Sequence, residues 1–222
     1  MRLLYHTPLS PFCRKIRMML KEKALEFELV QENPWDRNLD FFALNPAGEV
    51  PVLVEDNGTV VSGAYAIAEY LEEAYPAVSM LGSTPAEKAE VRRIIDWFDH
   101  KFDYEVTKNV LFEKAFKHYF GYGEPSSTCI RLGKQNILYH LDYIGYLANE
   151  RYFLAGDTLT LADLAAASHI SALDYLGDID WNYNKMAQNW YALIKSRPSM
   201  RGILSERVHG FRPPVYYENP DF

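Results

Sequence analysis

Every strand-like run in this chain lies before Gly63, and from Pro85 to about Val208 the dominant repeat is helical. That change of rhythm leaves few architectures open. Leu3-Leu4-Tyr5 reads as a short buried strand. Ser10 suits a helix cap and Pro11 the first helical position, and Phe12, Ile16, Met19 and Leu20 then recur on one face to about Glu22. Phe27 to Val30 alternates apolar and polar residues as a second strand; Asn33 to Asp36 reads as a loop and Leu39 to Leu44 as a short helix. Val52 to Glu55 and Thr59 to Val61 flank Asp56-Asn57-Gly58, a strong hairpin signal. A helix over Ala64 to Ala74, with Ile67, Tyr70 and Leu71 on one face, completes the order β-α-β-α-β-β-α.

The expected fold class is thus an α/β unit at residues 1–75, a linker at 76–85, an all-α unit at 86–209 and an extended aromatic tail at 210–222. Two prolines, a glycine and small polar residues mark the linker. The helical half should hold one long helix over Ala86 to Lys114, a break at Gly121 to Pro125, and a second long helix over Thr128 to Asn149. Thr160-Leu161-Ala162-Asp163 resembles a capping box, with Leu159 and Leu164 placed for a hydrophobic staple. It opens an Ala- and Leu-rich helix to Leu176, followed by helices over Lys185 to Ser196 and Met200 to Val208. The tail carries three prolines and four aromatic residues.

Composition closes off several functions. The 222 residues, 48% apolar and 24% charged, fit a soluble globular protein in the cytoplasm. No apolar run is long enough to cross a bilayer, and MRLLYHTPLS is too short in apolar residues for a secretory signal. Two cysteines, Cys13 and Cys129, make no disulfide framework, and no cluster has metal-ligand spacing. A net charge of −7 argues against nucleic acid as a partner.

Two motifs bear on chemistry. In Ser10-Pro11-Phe12-Cys13, a thiolate placed at a helix N-terminus is stabilised by unpaired N–H groups and the helix dipole. With serine at the first position, a disulfide cycle within the motif is impossible. Either the Ser10 hydroxyl donates to a bound thiolate, or Cys13 acts alone, or Ser10 only caps and Cys13 is a small buried hydrophobe. In Asn45-Pro46-Ala47-Gly48-Glu49-Val50-Pro51, Pro51 begins a strand after a turn. Trp35, between Pro34 and Asp36 on a loop, is either an interface anchor or a residue folded back over its own sheet. Tyr216, Tyr217 and Phe222 beside Glu218 and Asp221 either form a recognition segment or pack on the helical half. Histidines such as His6 read as structural, and Lys108 and Lys114 on the long helix either meet an acidic partner or lie on a solvated face.

These motifs, the element order and Leu159-Thr160-Leu161-Ala162-Asp163 resemble the cytosolic glutathione transferase family over nearly the whole chain. The resemblance implies a thioredoxin-like N-terminal domain, a glutathione transferase-type helical bundle and a homodimer. It also implies a cis Val50–Pro51 bond, with the Val50 backbone pairing the cysteinyl part of glutathione. In the family, the turn into the third helix supplies an acid or glutamine and then a serine, which grip the γ-glutamyl group. Aligned on Ala66-Ile67, those positions hold Gly63 and Ala64, with Ser62 close enough to compensate if the turn shifts. A charged ligand group left without its partner loses about 1–3 kcal/mol per hydrogen bond. Two such losses weaken binding by roughly one to four decades. Glutathione is therefore expected as a weak ligand at most, and no cofactor is implied.

Further residues resemble one bacterial branch of the family, cell-division proteins that bind filaments of the tubulin homologue FtsZ. These are Trp35, Gly63-Ala64, the Asp174 to Trp181 segment, Arg197-Pro198-Ser199, the Glu206 to Gly210 segment and the ending Asn219-Pro220-Asp221-Phe222. That likeness implies a non-catalytic adaptor with FtsZ as partner, contacting it through Trp35, Asp221 and Phe222. The alternative is an active transferase that conjugates glutathione to an apolar electrophile, or a thiol transferase, using Ser10 or Cys13. A third, thinner likeness is to the stringent-starvation proteins, which bind RNA polymerase.

Overall fold

Four strands, none longer than four residues, form a single sheet that depends on the helices packed against it. The computed structural model describes residues 1–220. The strands β1 (Leu3–His6), β2 (Glu28–Gln31), β3 (Val52–Val54) and β4 (Val60–Ser62) lie in the order β2-β1-β3-β4. β1 runs parallel to β2 and antiparallel to β3, with Leu4 opposite Leu29 on one side and Leu53 on the other. A parallel pair needs a crossover, and α1 (Pro11–Glu22) supplies it between β1 and β2. β3 and β4 pair antiparallel across Asp56-Asn57-Gly58, where Gly58 has φ +86°. α2 (Leu39–Leu44) precedes β3, and α3 (Ala64–Ala74) follows β4. The Val50–Pro51 bond is cis, as the resemblance implies.

The helical half comprises α4 (Pro85–Asp96), α5 (Ser127–Glu150), α6 (Leu161–Tyr175), α7 (Lys185–Lys195) and α8 (Arg201–Leu204). α4 opens on a capping box made by Thr84 and Glu87. It continues without interruption as a second stretch, Trp97–Phe116, whose turns are wide and π-type. The long helix expected over Ala86 to Lys114 is therefore one rod with two pitches, ending at the Gly121 and Gly123 turns, both at positive φ. α6 is buried along its whole length. The side chain of Asp163 holds the start of α6, accepting from the N–H groups of Thr160 (3.0 Å) and Leu154 (2.9 Å) and from Trp190 Nε1 (3.0 Å).

Two expectations at the C-terminal end are corrected. The helix expected over Met200 to Val208 is a 3₁₀ turn at Pro198–Met200 followed by the single turn of α8. Its would-be continuation is drawn away: Glu206 pairs with Arg17, and the Val208 N–H donates to the Tyr175 hydroxyl at 2.9 Å. The tail is not fully extended, because Val215–Glu218 forms a 3₁₀ turn that buries Tyr217 completely.

α1 joins the halves. Arg14, Lys15 and Arg17 are all buried, an arrangement tolerable only with partners. Lys15 pairs with Asp99 of the Trp97–Phe116 stretch, and Arg17 pairs with Glu206. At the end of α1, Glu22 accepts two hydrogen bonds from Arg197, at 2.7 and 2.8 Å. The helix that carries the Ser10 motif is thus held by the all-α half as much as by its own sheet.

Candidate functional site

Between the sheet unit and the helical half lies a cleft of about 1840 Å³. One wall is built by loop ends of the sheet unit: Thr7 and Ser10 before α1, Val50 and Pro51 before β3, and Ser62, Gly63 and Ala64 at the turn into α3. The fold thereby brings together every residue expected to face glutathione, except Cys13.

Ser10 caps α1, its hydroxyl accepting from the Cys13 N–H at 3.4 Å. Cys13 itself is fully buried and does not line the cleft. Burial pushes its thiol up to about 11, against the lowering effect of the Ser10 and Thr7 hydrogen bonds. An activated Cys13 thiolate, one of the readings of the motif, is thus opposed by its surroundings: desolvation outweighs those hydrogen bonds. Of the pair, Ser10 is the residue presented to a ligand.

The turn into α3 is bare. Gly63 sits at φ +88°, a conformation that disfavours side chains, and a Cβ there would meet nothing within 4 Å. Among the described residues, no side chain caps α3. Ala64 adds only a methyl group, and Ser62, the last residue of β4, is exposed on the cleft.

The floor is polar. Lys15 and Asp99 meet there; burial pushes the Asp99 carboxyl up, but the Lys15 charge and the nearby His169 ring hold it down at about 2. His169 Nε2 lies 3.7 Å from Asp99 Oδ1, and its Nδ1 is 2.8 Å from the Thr107 hydroxyl. Phe12 packs edge-on against the His169 ring at 5.5 Å. Among the described residues, no group of three or more His, Cys, Asp or Glu is arranged to hold a metal.

The mouth is aromatic. Trp35, in a 3₁₀ turn at Pro34–Asp36, stacks on Tyr119 with centroids 4.9 Å apart and planes 17° apart. Phe116 and Phe120 flank it at 5.9 and 5.7 Å. The indole neither stands free nor folds over its own sheet; it reaches across the cleft to the end of the long rod. Arg37, next to this turn, has left-handed backbone (φ +51°), and Leu39 is 82% exposed. Asp221 and Phe222, the other expected partner contacts, lie outside the described residues.

Sequence reasoning missed the ring cluster Phe116, Tyr119, Phe120 and Tyr122. The signal was the density of rings around the Gly121 break, where a loop needs few. It also left Lys114 on a solvated face, whereas Lys114 and Lys134 both pair with the buried Asp178, at 2.7 and 2.8 Å. No helix among the described residues is long and apolar enough to cross a membrane.

Comparison with known proteins bears on this geometry. Residues 9–74 match the family described as glutathione S-transferase, N-terminal domain. The crystal structure of a glutathione S-transferase from Rhodospirillum rubrum F11 is 50% identical, with a TM-score of 0.96 over 100% of both chains. FtsZ-localized protein A of Caulobacter vibrioides is 42% identical over 100% of this chain and 98% of its own. The structure of FzlA from C. crescentus is also 42% identical, with a TM-score of 0.95 over 100% of this chain and 99% of that one.

Proposed function

This chain belongs to the glutathione S-transferase family, and from that premise we propose that it is a non-catalytic cytoplasmic adaptor that binds FtsZ filaments in bacterial cell division. The observation that carries this reading is the bare turn at Gly63 and Ala64 in an otherwise well-formed cleft. A working transferase needs side chains there to hold a charged γ-glutamyl group; an adaptor does not. The end-to-end likeness to a protein named for its FtsZ localisation supports the same reading.

The contact surface we assign is the aromatic arch at the cleft mouth, with Trp35 at its centre and the terminal Asp221 and Phe222 as a second element. Large rings backed by other rings are rigid and lose little entropy on binding, which suits an anchor. A homodimer formed through the long helices presents two arches. Tyr104, Tyr139 and Tyr146 stand 72%, 57% and 63% exposed on those helices, rings available to a second copy. Two modest sites on one particle bridge filaments through avidity, without strong individual contacts.

Co-sedimentation with polymerised FtsZ tests the proposal. The expected result is co-pelleting of the wild type and a clear loss with Trp35→Ala. No co-pelleting at all removes the adaptor reading. Co-pelleting untouched by the substitution removes only Trp35 from the contact.

One observation favours a second reading, glutathione transfer: Ser10 caps α1 and faces the cleft, where a hydroxyl donates to a thiolate. Turnover of glutathione with an activated aryl chloride, lost in Ser10→Ala, would establish it.

A further inference from the structure

Arg14 is fully buried, yet it belongs to the helix that opens the cleft. Its guanidinium makes three hydrogen bonds, each to a different part of the chain. Nε donates to the Pro8 carbonyl (2.9 Å), in the loop whose neighbours Thr7 and Ser10 line the cleft. One terminal nitrogen donates to Ser171 Oγ in α6 (3.0 Å) and to the Tyr217 hydroxyl in the tail (3.2 Å). The other terminal nitrogen has no hydrogen-bond partner among the described residues, and Glu206 Oε2 stands 4.0 Å from it.

We propose that Arg14 is a positioning residue that couples the docked state of the C-terminal tail to the order of the cleft loop at Thr7 to Ser10. A buried cation with a sparse partner set makes every remaining partner count. When the tail lifts, Arg14 loses the Tyr217 hydroxyl, and the site opens to water. Short of that acceptor, the buried guanidinium favours open states in which water satisfies it, and in those states the cleft loop loses its brace. The link works in both directions: anything that stiffens the loop favours the docked tail by the same factor.

The tail is built to be held as a unit. Tyr217 packs edge-on against Tyr175 at 5.1 Å, and Glu218 pairs with Arg207. Lys195 Nζ donates to the Tyr216 carbonyl at 3.2 Å. These contacts fix the turn at Val215–Glu218, so a pull on the chain beyond it acts on Tyr217. The coupling is internal to this chain and stands whatever the cleft or the tail binds.

Hydrogen exchange on Tyr217→Phe tests it. The substitution keeps the ring against Tyr175 and removes only the acceptor for Arg14. Exchange at the amides of Ser10, Cys13 and Arg14 should quicken about tenfold, as expected for a lost hydrogen bond to a charged group. Amides in the middle of α5, such as Ile137 and Leu141, should be unchanged. A chain ending at Gly210 should show the same local pattern; if it fails to fold, Tyr217→Phe alone decides. Unchanged exchange at Ser10 to Arg14 would overturn the proposal. So would a proportional acceleration everywhere, since that marks a purely structural role.

Discussion

Single residues in this chain change their chemistry by where they are buried. His140 is fully buried, and Trp97 Nε1 donates to its Nδ1 at 3.1 Å. Its proton therefore sits on Nε2, facing Glu105 at 3.0 Å. Burial pulls His140 down to about 4 despite the nearby carboxylate, and burial with the charges of Arg17 and Arg14 pulls His6 to about 4 as well. As pH falls below the ordinary value of 6.5, the unfolded chain takes up these protons first, so stability drops until the folded values near 4 are reached. Urea unfolding at steps across that window should show a falling midpoint, with a shallower fall in His140→Gln. A flat profile would contradict the burial argument. None of this was legible in the sequence beyond a structural role for His6, because burial of a histidine depends on residues far along the chain. Cys13 shows the same limit. Its place in the helix was readable, whereas its desolvation was not.

At the level of elements, helices with local punctuation were readable and those shaped by distant contacts were not. Ser10-Pro11 fixed the start of α1, the hairpin glycine fixed β4, and Thr160 with Asp163 fixed α6. The π-type pitch of Trp97–Phe116 and the early end of α8 have no such punctuation, and packing decides them. The pin between α1 and that rod is the Lys15–Asp99 pair. Breaking it from one side leaves a buried lysine unpaired, so Asp99→Asn should cost about 3–5 kcal/mol in chemical denaturation. The wild type should also lose stability as pH falls from the ordinary 3.8 toward about 2, and the loss should be smaller in Asp99→Asn. An unchanged denaturation midpoint would mean that the pair does not hold the halves together.

Across the whole molecule, the likeness to glutathione transferases was legible because the residues that make the fold are mostly local signals. The cleft followed from it: Ser10, Val50, Pro51, Gly63 and Ala64 all line one wall. Its aromatic mouth did not follow, since Trp35 meets Tyr119 only once the two halves have docked. On the adaptor reading proposed above, the cleft keeps the shape of a tripeptide pocket and lacks the side chains that would grip one. Calorimetric titration of the wild type with glutathione tests that claim directly. Heat of binding should be absent, or saturate only above the millimolar range, with Ala64→Ser tightening binding by about one to two decades. Submillimolar binding by the wild type, with the γ-glutamyl group held in the cleft, would contradict the account.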